Sequence, residues 1–307
     1  MAEPTLFDAV DPLRPGLDAP TPVGDVARLD VAGRTERVLR LRQQGEQIFS
    51  DALAAHLGRH HVAAVCVLFS GGTDSTALAH LFRHRATHAI HCNTTIGIEA
   101  TREFVRESCL QWGLPLLEEA APKTFRQLVI ERGFPGPAMH PKMYSRLKER
   151  GLRQARRKLV SDARRERVVF LAGRRRQESR RRARVPLHER DGSVIWISPI
   201  ANWTVLDLNT YRQLAGDVPV NPVSQLLHMS GECLCGSFAK AGELDQIRAW
   251  YPDTAAEIDA ITTEVTAAGH RPPHNRWGHG SGPRTRRSGP LCSDCELRLF
   301  DLDEEAS

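Results

Sequence analysis

The 307-residue sequence has no long apolar run; the longest unbroken one, Val62–Phe69, has eight residues. A membrane-spanning helix needs roughly 20, so no span is expected. The opening string MAEPTLFDAVDPLRPG lacks the basic flank and apolar stretch of a signal peptide. The expectation is a cytoplasmic protein. Two phosphate-binding strings are absent, G-x-x-x-x-G-K-[ST] and G-x-G-x-x-G, and so is any internal repeat. Without a secretion signal, seven cysteines argue against a disulfide framework and, where clustered, for metal or redox chemistry. Apolar residues make up 41% and charged residues 26%. Both lie near globular averages and exclude a collagen-like, mucin-like or wholly disordered chain. The length allows one large domain or two modest ones.

The net charge, +5, is mild, but its distribution is not. From Lys142 to Arg184 there are 18 Lys and Arg against four acids, a segment of +14 that leaves −9 for the rest. Such asymmetry points to a polyanionic partner, either nucleotide phosphates or nucleic acid (DNA or RNA), with a solvated basic helix face as the plain alternative.

Residues 1–32 are rich in Pro, Asp, Gly and Ala and read as a mobile leader. Glu36–Leu57 has helical spacing of apolar residues. An alternation follows. Strands are expected at Val62–Phe69, His88–Cys92, Leu114–Leu117 and Val168–Ala172. Helices are expected at Ser75–His84, Glu99–Trp112, Thr124–Arg132 and, mostly, Met139–Arg165. Strands this apolar between helices predict an α/β fold, a doubly wound and mostly parallel sheet covered on both faces. Beyond Gly173 the character changes. A hairpin-like segment around Asp191-Gly192 with a strand at Val194–Ile197 precedes helices at Leu206–Ala215, Glu243–Trp250 and Thr254–Ala267. The expected division is a leader (1–32), a nucleotide-binding domain (33–220), a C-terminal helical, cysteine-containing region (221–300) and an acidic tail (301–307).

The strongest local signal is Ser70-Gly71-Gly72-Thr73-Asp74-Ser75, set between a buried strand and a helix. Adjacent glycines let backbone approach a ligand with no Cβ in the way. Successive N–H groups and the helix N-terminus then suit an anion. Ser70, Thr73 and Ser75 add hydroxyl donors. Asp74 would repel bare phosphate, so it holds Mg²⁺ or anchors the loop.

Among the cysteines, Cys66, Cys92 and Cys109 fall inside expected strands and a helix and read as small buried hydrophobes. The other four form two close pairs, Cys233-Leu234-Cys235 flanked by glycines and Cys292-Ser293-Asp294-Cys295. A four-thiolate site of zinc or [4Fe–4S] fits this set, with a redox pair plus unrelated cysteines as the alternative. His228, His274 and His279 are nearby alternative ligands.

Several motifs in register carry a family resemblance. They are the S-G-G-x-D-S loop, Asn93–Glu99, Thr124-Phe125, Gly133-Phe134-Pro135, Arg146–Lys148, Gly173-x-Arg175-x-x-Glu178-Ser179 with Arg182, Pro199-Ile200 with Trp203, Asp207 and Tyr211, and Val218–Pro222. Over about residues 60–240 the chain resembles the phosphoadenosine-phosphosulfate reductase family of PP-loop ATP pyrophosphatases, which includes the small subunit of ATP sulfurylase. The resemblance implies an adenine nucleotide, ATP, on Ser70–Ser75, with Gly97, Gly173, Arg175 and Glu178 as further binding residues. It implies attack of a substrate oxygen on the α-phosphorus with loss of pyrophosphate. Mg²⁺ with Asp74, Arg175, Arg182 and, as a further candidate, Lys148 would balance the charge that builds, with Glu178 orienting Arg175. It also favours [4Fe–4S] over zinc on Cys233, Cys235, Cys292 and Cys295.

The chain departs from the family's assimilatory reductases, since it has no E-C-G-L-H string and no cysteine after Cys295, and it keeps the intact loop. The expected activity is adenylylation in sulfur transfer or sulfur metabolism. One version resembles the sulfurtransferase subunit of DNA phosphorothioation systems, with a sulfur-donor protein such as a cysteine desulfurase as partner. The other resembles the sulfurylase subunit. A reductase releasing sulfite and a non-catalytic, nucleotide-sensing nucleic-acid-binding protein are the alternatives.

Overall fold

In the computed structural model, which describes residues 11–179 and 181–279, the two most apolar runs become the central strands of a six-stranded sheet, β1 (His61–Leu68) and β4 (Glu166–Leu171). β2 (His88–Asn93) and β3 (Leu116–Ala120) extend one side, and β6 (Val194–Ile197) and β5 (His188–Asp191) the other. The order is β3-β2-β1-β4-β6-β5, parallel throughout except for the β5–β6 hairpin. This is the expected α/β architecture. The chain winds outward from β1 to β3, then returns to lay β4 on the other side of β1. Order reverses there, and the crevice beyond the C-terminal ends of β1 and β4 is where open α/β sheets bind ligands.

The helices in chain order are α1 (Val23–Ala27), α2 (Val31–His56), α3 (Thr73–Phe82), α4 (Glu99–Gln111), α5 (Phe125–Arg132), α6 (His140–Tyr144), α7 (Arg150–Leu159), α8 (Val205–Ala215), α9 (Pro222–Leu227), α10 (Glu243–Trp250) and α11 (Pro252–Ala267). Val67, Val169, Leu171 and Ile197 share one sheet face with Leu41 and Ile48 of α2, Leu78 of α3, Val105 of α4 and Leu208 of α8. The alternating Cys66, Val168, Phe170 and Val194 lie on the other face with Leu152 and Ala155 of α7. The two-residue period of a strand divides these runs between two cores, so both faces are apolar.

The chain separates into two compact units. Of the described residues, one holds 11–125 and 144–233, the other 126–143 and 234–279. Residues 221–233 thus fold with the sheet, and 126–143 with the C-terminal helices. In the second unit, Ile247 of α10 and Ile258, Ile261 and Val265 of α11 are buried, and Arg248 pairs with Asp259 across the two helices at 3.0 Å. His274 accepts the Phe134 N–H at its carbonyl (2.7 Å), and the Trp277 indole donates to the Leu234 carbonyl (2.7 Å).

Three local expectations are corrected. Residues 11–32 are not a free leader. Arg37, fully buried, donates to the Pro12 carbonyl (2.6 Å) and Thr21 Oγ1 (3.0 Å) while gripping Asp207 at 2.8 and 3.1 Å. Arg176 donates to the Leu17 and Asp18 carbonyls, and Gln177 to that of Thr21. Side chains far along the sequence satisfy this segment's backbone, which no local pattern foretells. Second, α2 begins at Val31, capped by Asp30 accepting the Gly33 N–H at 2.7 Å. Its first turn is exposed and carries no apolar stripe to mark it. Third, the expected helix over 139–165 is interrupted by a π-helical turn at Ser145–Glu149 and stops at Leu159. Helix α9 was unread in the sequence, although Asn221-Pro222 is a cap followed by a first-turn proline.

Candidate nucleotide site

The loop after β1 turns at Gly71, whose φ of +75° favours glycine. A Cβ there would meet Thr101 Cγ2 at 2.8 Å. The Gly71 carbonyl accepts from Asn221 Nδ2 at 2.9 Å, and Asn221 also caps α9 by accepting the Val223 N–H at 3.0 Å. On the other flank Ser75 Oγ donates to the Gly72 carbonyl (3.0 Å), accepts the Ser70 N–H (3.3 Å) and lies 3.1 Å from Ser70 Oγ. Thr76 Oγ1 donates to the same Gly72 carbonyl at 2.9 Å. Ser70, Gly71, Gly72, Thr73, Asp74 and Ser75 thus form one preshaped turn opening α3. The α3 N–H groups carry the positive end of its dipole, the arrangement that binds phosphate.

The turn after β4 closes on this loop. Gly173 lies so near that a Cβ would come within 3.2 Å of Ser75 N and Cα. Arg175 then reaches Asp74, Nε donating to Oδ2 at 2.7 Å, with both side chains largely buried. Glu178 pairs with Arg182. The expectation that Glu178 orients Arg175 is therefore replaced, since Arg175 is held by Asp74 and Glu178 holds Arg182. Burial pushes the Glu178 carboxyl up, opposed by Arg182, and the Asp74 charge raises it further. Four charged groups, two of each sign, stand at the mouth of the β1–β4 crevice.

Gly97 meets a neighbouring segment, residues 231–232. A Cβ on it would come within 2.5 Å of the Glu232 carbonyl oxygen, so glycine is needed for backbone to meet backbone. The contact is a strap. Ile98 N–H donates to the Gly231 carbonyl (2.9 Å), Thr94 N–H to Glu232 Oε1 (2.8 Å) and Thr94 Oγ1 to the Glu232 carbonyl (2.5 Å). Between them Thr95 has φ +61°, costly for a β-branched residue and stabilised by its Oγ1 accepting the Phe125 N–H at 2.8 Å.

Beneath the strap lies a polar cluster that the sequence analysis missed. His91 and Glu232, both 1% exposed, pair at 2.8 Å, and His91 Nδ1 donates to the Phe69 carbonyl at 2.8 Å. Burial disfavours the imidazolium, but Glu232 and the Phe69 carbonyl outweigh it and the His91 pKa is raised. Lys148, from the π-helical turn, joins this cluster. Burial opposes its charge, yet Cys233, Glu232, Tyr144 and Cys92 around it raise its pKa. The visible signal was a histidine in a buried strand and a glutamate between Gly231 and Cys233. Neither gains meaning until the strap brings β2 to residue 232.

Cys66 and Cys109 are buried, and burial pushes each thiol up to about 12. Cys92 also reaches about 12 by burial, with Lys148 opposing. Cys233 follows Gly231 (φ +70°) in the first unit, and Cys235 precedes Gly236 (φ +78°) in the second. Cys292 and Cys295 lie outside the described residues, as does the acidic tail 301–307. Among the described residues no three His, Cys, Asp or Glu side chains are grouped to hold a metal. His274 and His279 each aim a ring nitrogen at the Phe134 carbonyl, at 3.3 and 2.9 Å.

The basic segment 142–184 is split. Arg167, Arg174, Arg175 and Arg176 are drawn into internal hydrogen bonds with His60, Ser198, Asp74 and Asn202. Arg150, Arg153 and Arg157 lie exposed along α7, with Arg164 and Arg165 exposed beyond it. Among the described residues no helix is long and apolar enough to cross a membrane.

Comparison with known proteins completes the description. No curated protein matches the sequence. Among solved structures, the Candida auris phosphoadenylyl-sulfate reductase in a phosphate complex is similar at 15% identity and a TM-score of 0.40, over 62% of this chain and 91% of that one. Yeast FAD synthetase in complex with FAD is similar at 11% identity and a TM-score of 0.43, over 84% and 93%. Candida glabrata FMN adenylyltransferase with FAD and pyrophosphate is similar at 11% identity and a TM-score of 0.44, over 66% and 65%. At such scores these likenesses carry no argument about this chain. The sequence profile of the phosphoadenosine phosphosulfate reductase domain matches residues 64–228, more than half of the 307. This span runs from the first strand of the sheet through the phosphate loop, the strap and the Arg175 turn to the end of α9, and the chain belongs to that family.

Proposed function

We propose that the chain binds ATP on Ser70–Ser75 and transfers the adenylyl group to an acceptor oxygen, releasing pyrophosphate. The observation that carries this reading is the Asp74–Arg175 pair, which joins the loop after β1 to the turn after β4 at the point where strand order reverses. The acceptor oxygen attacks the α-phosphorus, the α–β bridging bond breaks, and the electron pair leaves on pyrophosphate. Loop N–H groups, the Ser70 and Ser75 hydroxyls, Arg175 and Arg182 are the donors for that charge. Asp74 is the carboxylate suited to Mg²⁺, which when bound would neutralise phosphate oxygens.

The adenylylated oxygen then leaves as AMP when a sulfur nucleophile attacks. A sulfur-donor protein such as a cysteine desulfurase would supply that sulfur. Cys233 and Cys235, together with Cys292 and Cys295, form the proposed [4Fe–4S] set, and soft thiolates flanked by left-handed glycines suit such a cluster. The exposed guanidinia of Arg150, Arg153, Arg157, Arg164 and Arg165 support a nucleic-acid acceptor, whose binding would fall steeply with salt.

The test is product analysis of α-labelled ATP with anaerobic protein and Mg²⁺, with and without duplex DNA. AMP plus pyrophosphate, raised by DNA and lost in Ser70→Ala, Asp74→Ala and Ser75→Ala, is expected. Intact ATP under every condition refutes the reading. Sulfite released from adenylyl sulfate with a thiol reductant would instead make the protein a reductase.

A further inference from the structure

Against the phosphate loop, where Gly71 and Thr73 meet α8 and the start of α9, lies a cavity of about 110 Å³. Its wall includes Thr73 and Thr76 of α3, Arg212 of α8, and Asn221, Ser224 and Gln225 at the start of α9. The chemistry is one-sided, with a guanidinium, three hydroxyls and two carboxamides and no carboxylate. No hydrogen bond or ion pair engages the Arg212 side chain among the described residues. Neighbouring arginines differ, since Arg83 takes Asp217 and Arg37 takes Asp207. A guanidinium beside a polar cavity with no acid in its wall is a seat for an anion.

The volume narrows the ligand. A cavity of about 110 Å³ is large enough for one small ion and its waters. We propose that this cavity is a second anion site, distinct from the nucleotide phosphates, that takes one tetrahedral oxyanion, sulfate or phosphate, on Arg212, Ser224 and Gln225. The site is coupled to the loop. Ser224 Oγ lies 3.4 Å from the Gly71 carbonyl, which Asn221 also holds at 2.9 Å, and Thr76 Oγ1 holds the Gly72 carbonyl at 2.9 Å. An oxyanion accepting from Ser224 would take that hydroxyl's one proton away from the Gly71 carbonyl and leave Asn221 as its side-chain donor.

Oxyanion binding beside Arg212 stands or falls separately from adenylylation. The experiment is calorimetric titration of the full chain, in low-ionic-strength chloride-free buffer, with inorganic sulfate and, separately, inorganic phosphate. Each titration is repeated with a saturating non-hydrolysable ATP analogue. One equivalent of oxyanion is expected to bind with the analogue saturating the loop, in addition to any that the loop itself takes up without it. Arg212→Gln should weaken it about 10- to 100-fold, the worth of a charge-assisted hydrogen bond, and Ser224→Ala should weaken it by a smaller factor in a second, independent variant. Tighter binding of one ion identifies the preferred source. Absence of saturable binding, unchanged affinity in both variants, or displacement of the oxyanion by the analogue overturns the proposal, the last because the cavity would then belong to the nucleotide's own phosphates. Failure of the analogue to bind sinks the adenylylation reading and leaves the analogue-free titrations to decide this one.

Discussion

Gly71→Ala separates two costs that the structure assigns to one residue. The first is conformational. Gly71 has φ +75°, and an alanine there pays about 1–2 kcal/mol for left-handed backbone. The second is steric. The new Cβ would lie 2.8 Å from Thr101 Cγ2, 3.2 Å from Asn221 Nδ2 and 3.3 Å from Val105 Cγ2. Thr101 cannot turn away cheaply, because its Oγ1 donates to the Ser230 carbonyl at 2.7 Å. Overpacking of this kind costs about 1–3 kcal/mol. Gly113→Ala supplies the control. Its φ is +62° and nothing lies within 4 Å of an added Cβ, so it pays only the conformational cost. Urea unfolding at constant m should therefore show Gly71→Ala less stable than Gly113→Ala by about 1–3 kcal/mol, roughly 5- to 150-fold in the folding constant. The same variant should weaken binding of a non-hydrolysable ATP analogue, and Gly113→Ala should not. Equal destabilisation of the two would refute the reasoning, for it would mean that the loop relaxes freely around the added methyl.

Asp207→Ala should cost about 3–5 kcal/mol in urea unfolding, since it strands the fully buried Arg37 and removes the acceptor of the Thr204 N–H, the reciprocal half of the α8 capping box; a loss under 1 kcal/mol would show that Arg37 finds another partner. Arg106, bonded to Glu118 at 2.9 and 3.0 Å, holds that carboxyl below its usual 4.5 against the opposing effect of burial. A depressed folded value means stability that is present above about pH 4.5 and lost as pH falls through the lowered pKa. Acid unfolding of Arg106→Gln should therefore show a flatter loss below that pH, and an unchanged profile would contradict the pairing. Cys233→Ala should bleach the broad visible absorbance of anaerobically purified protein; a colourless, zinc-loaded wild type would reject the iron–sulfur set.

The sheet and the phosphate loop are legible in the sequence. Val62–Phe69 and Val168–Ala172 are apolar because both faces of their strands are covered, and that pattern alone announced a parallel sheet. Ser70–Ser75 declared its chemistry because an anion loop is built from contiguous residues, whose glycines and hydroxyls are adjacent in the chain. Other features were not legible because their partners are distant. Glu178 was expected to orient Arg175 and instead holds Arg182, a choice made by the path of the turn after β4. Gly97 was expected at the nucleotide, and the fold gives it a further task, letting one strap lie on residues 231–232. Lys148 was grouped with the arginines and stands with Cys92, Glu232 and Cys233, where a π-helical turn delivers it. Pro12, Leu17, Asp18 and Thr21 of the proline-rich leader are held by Arg37, Arg176 and Gln177. Local propensity and periodicity act over a few residues and write themselves into sequence. Close approach of backbones, burial of an ion pair and the destination of a long basic side chain depend on which elements the sheet makes neighbours, and only the folded chain decides that.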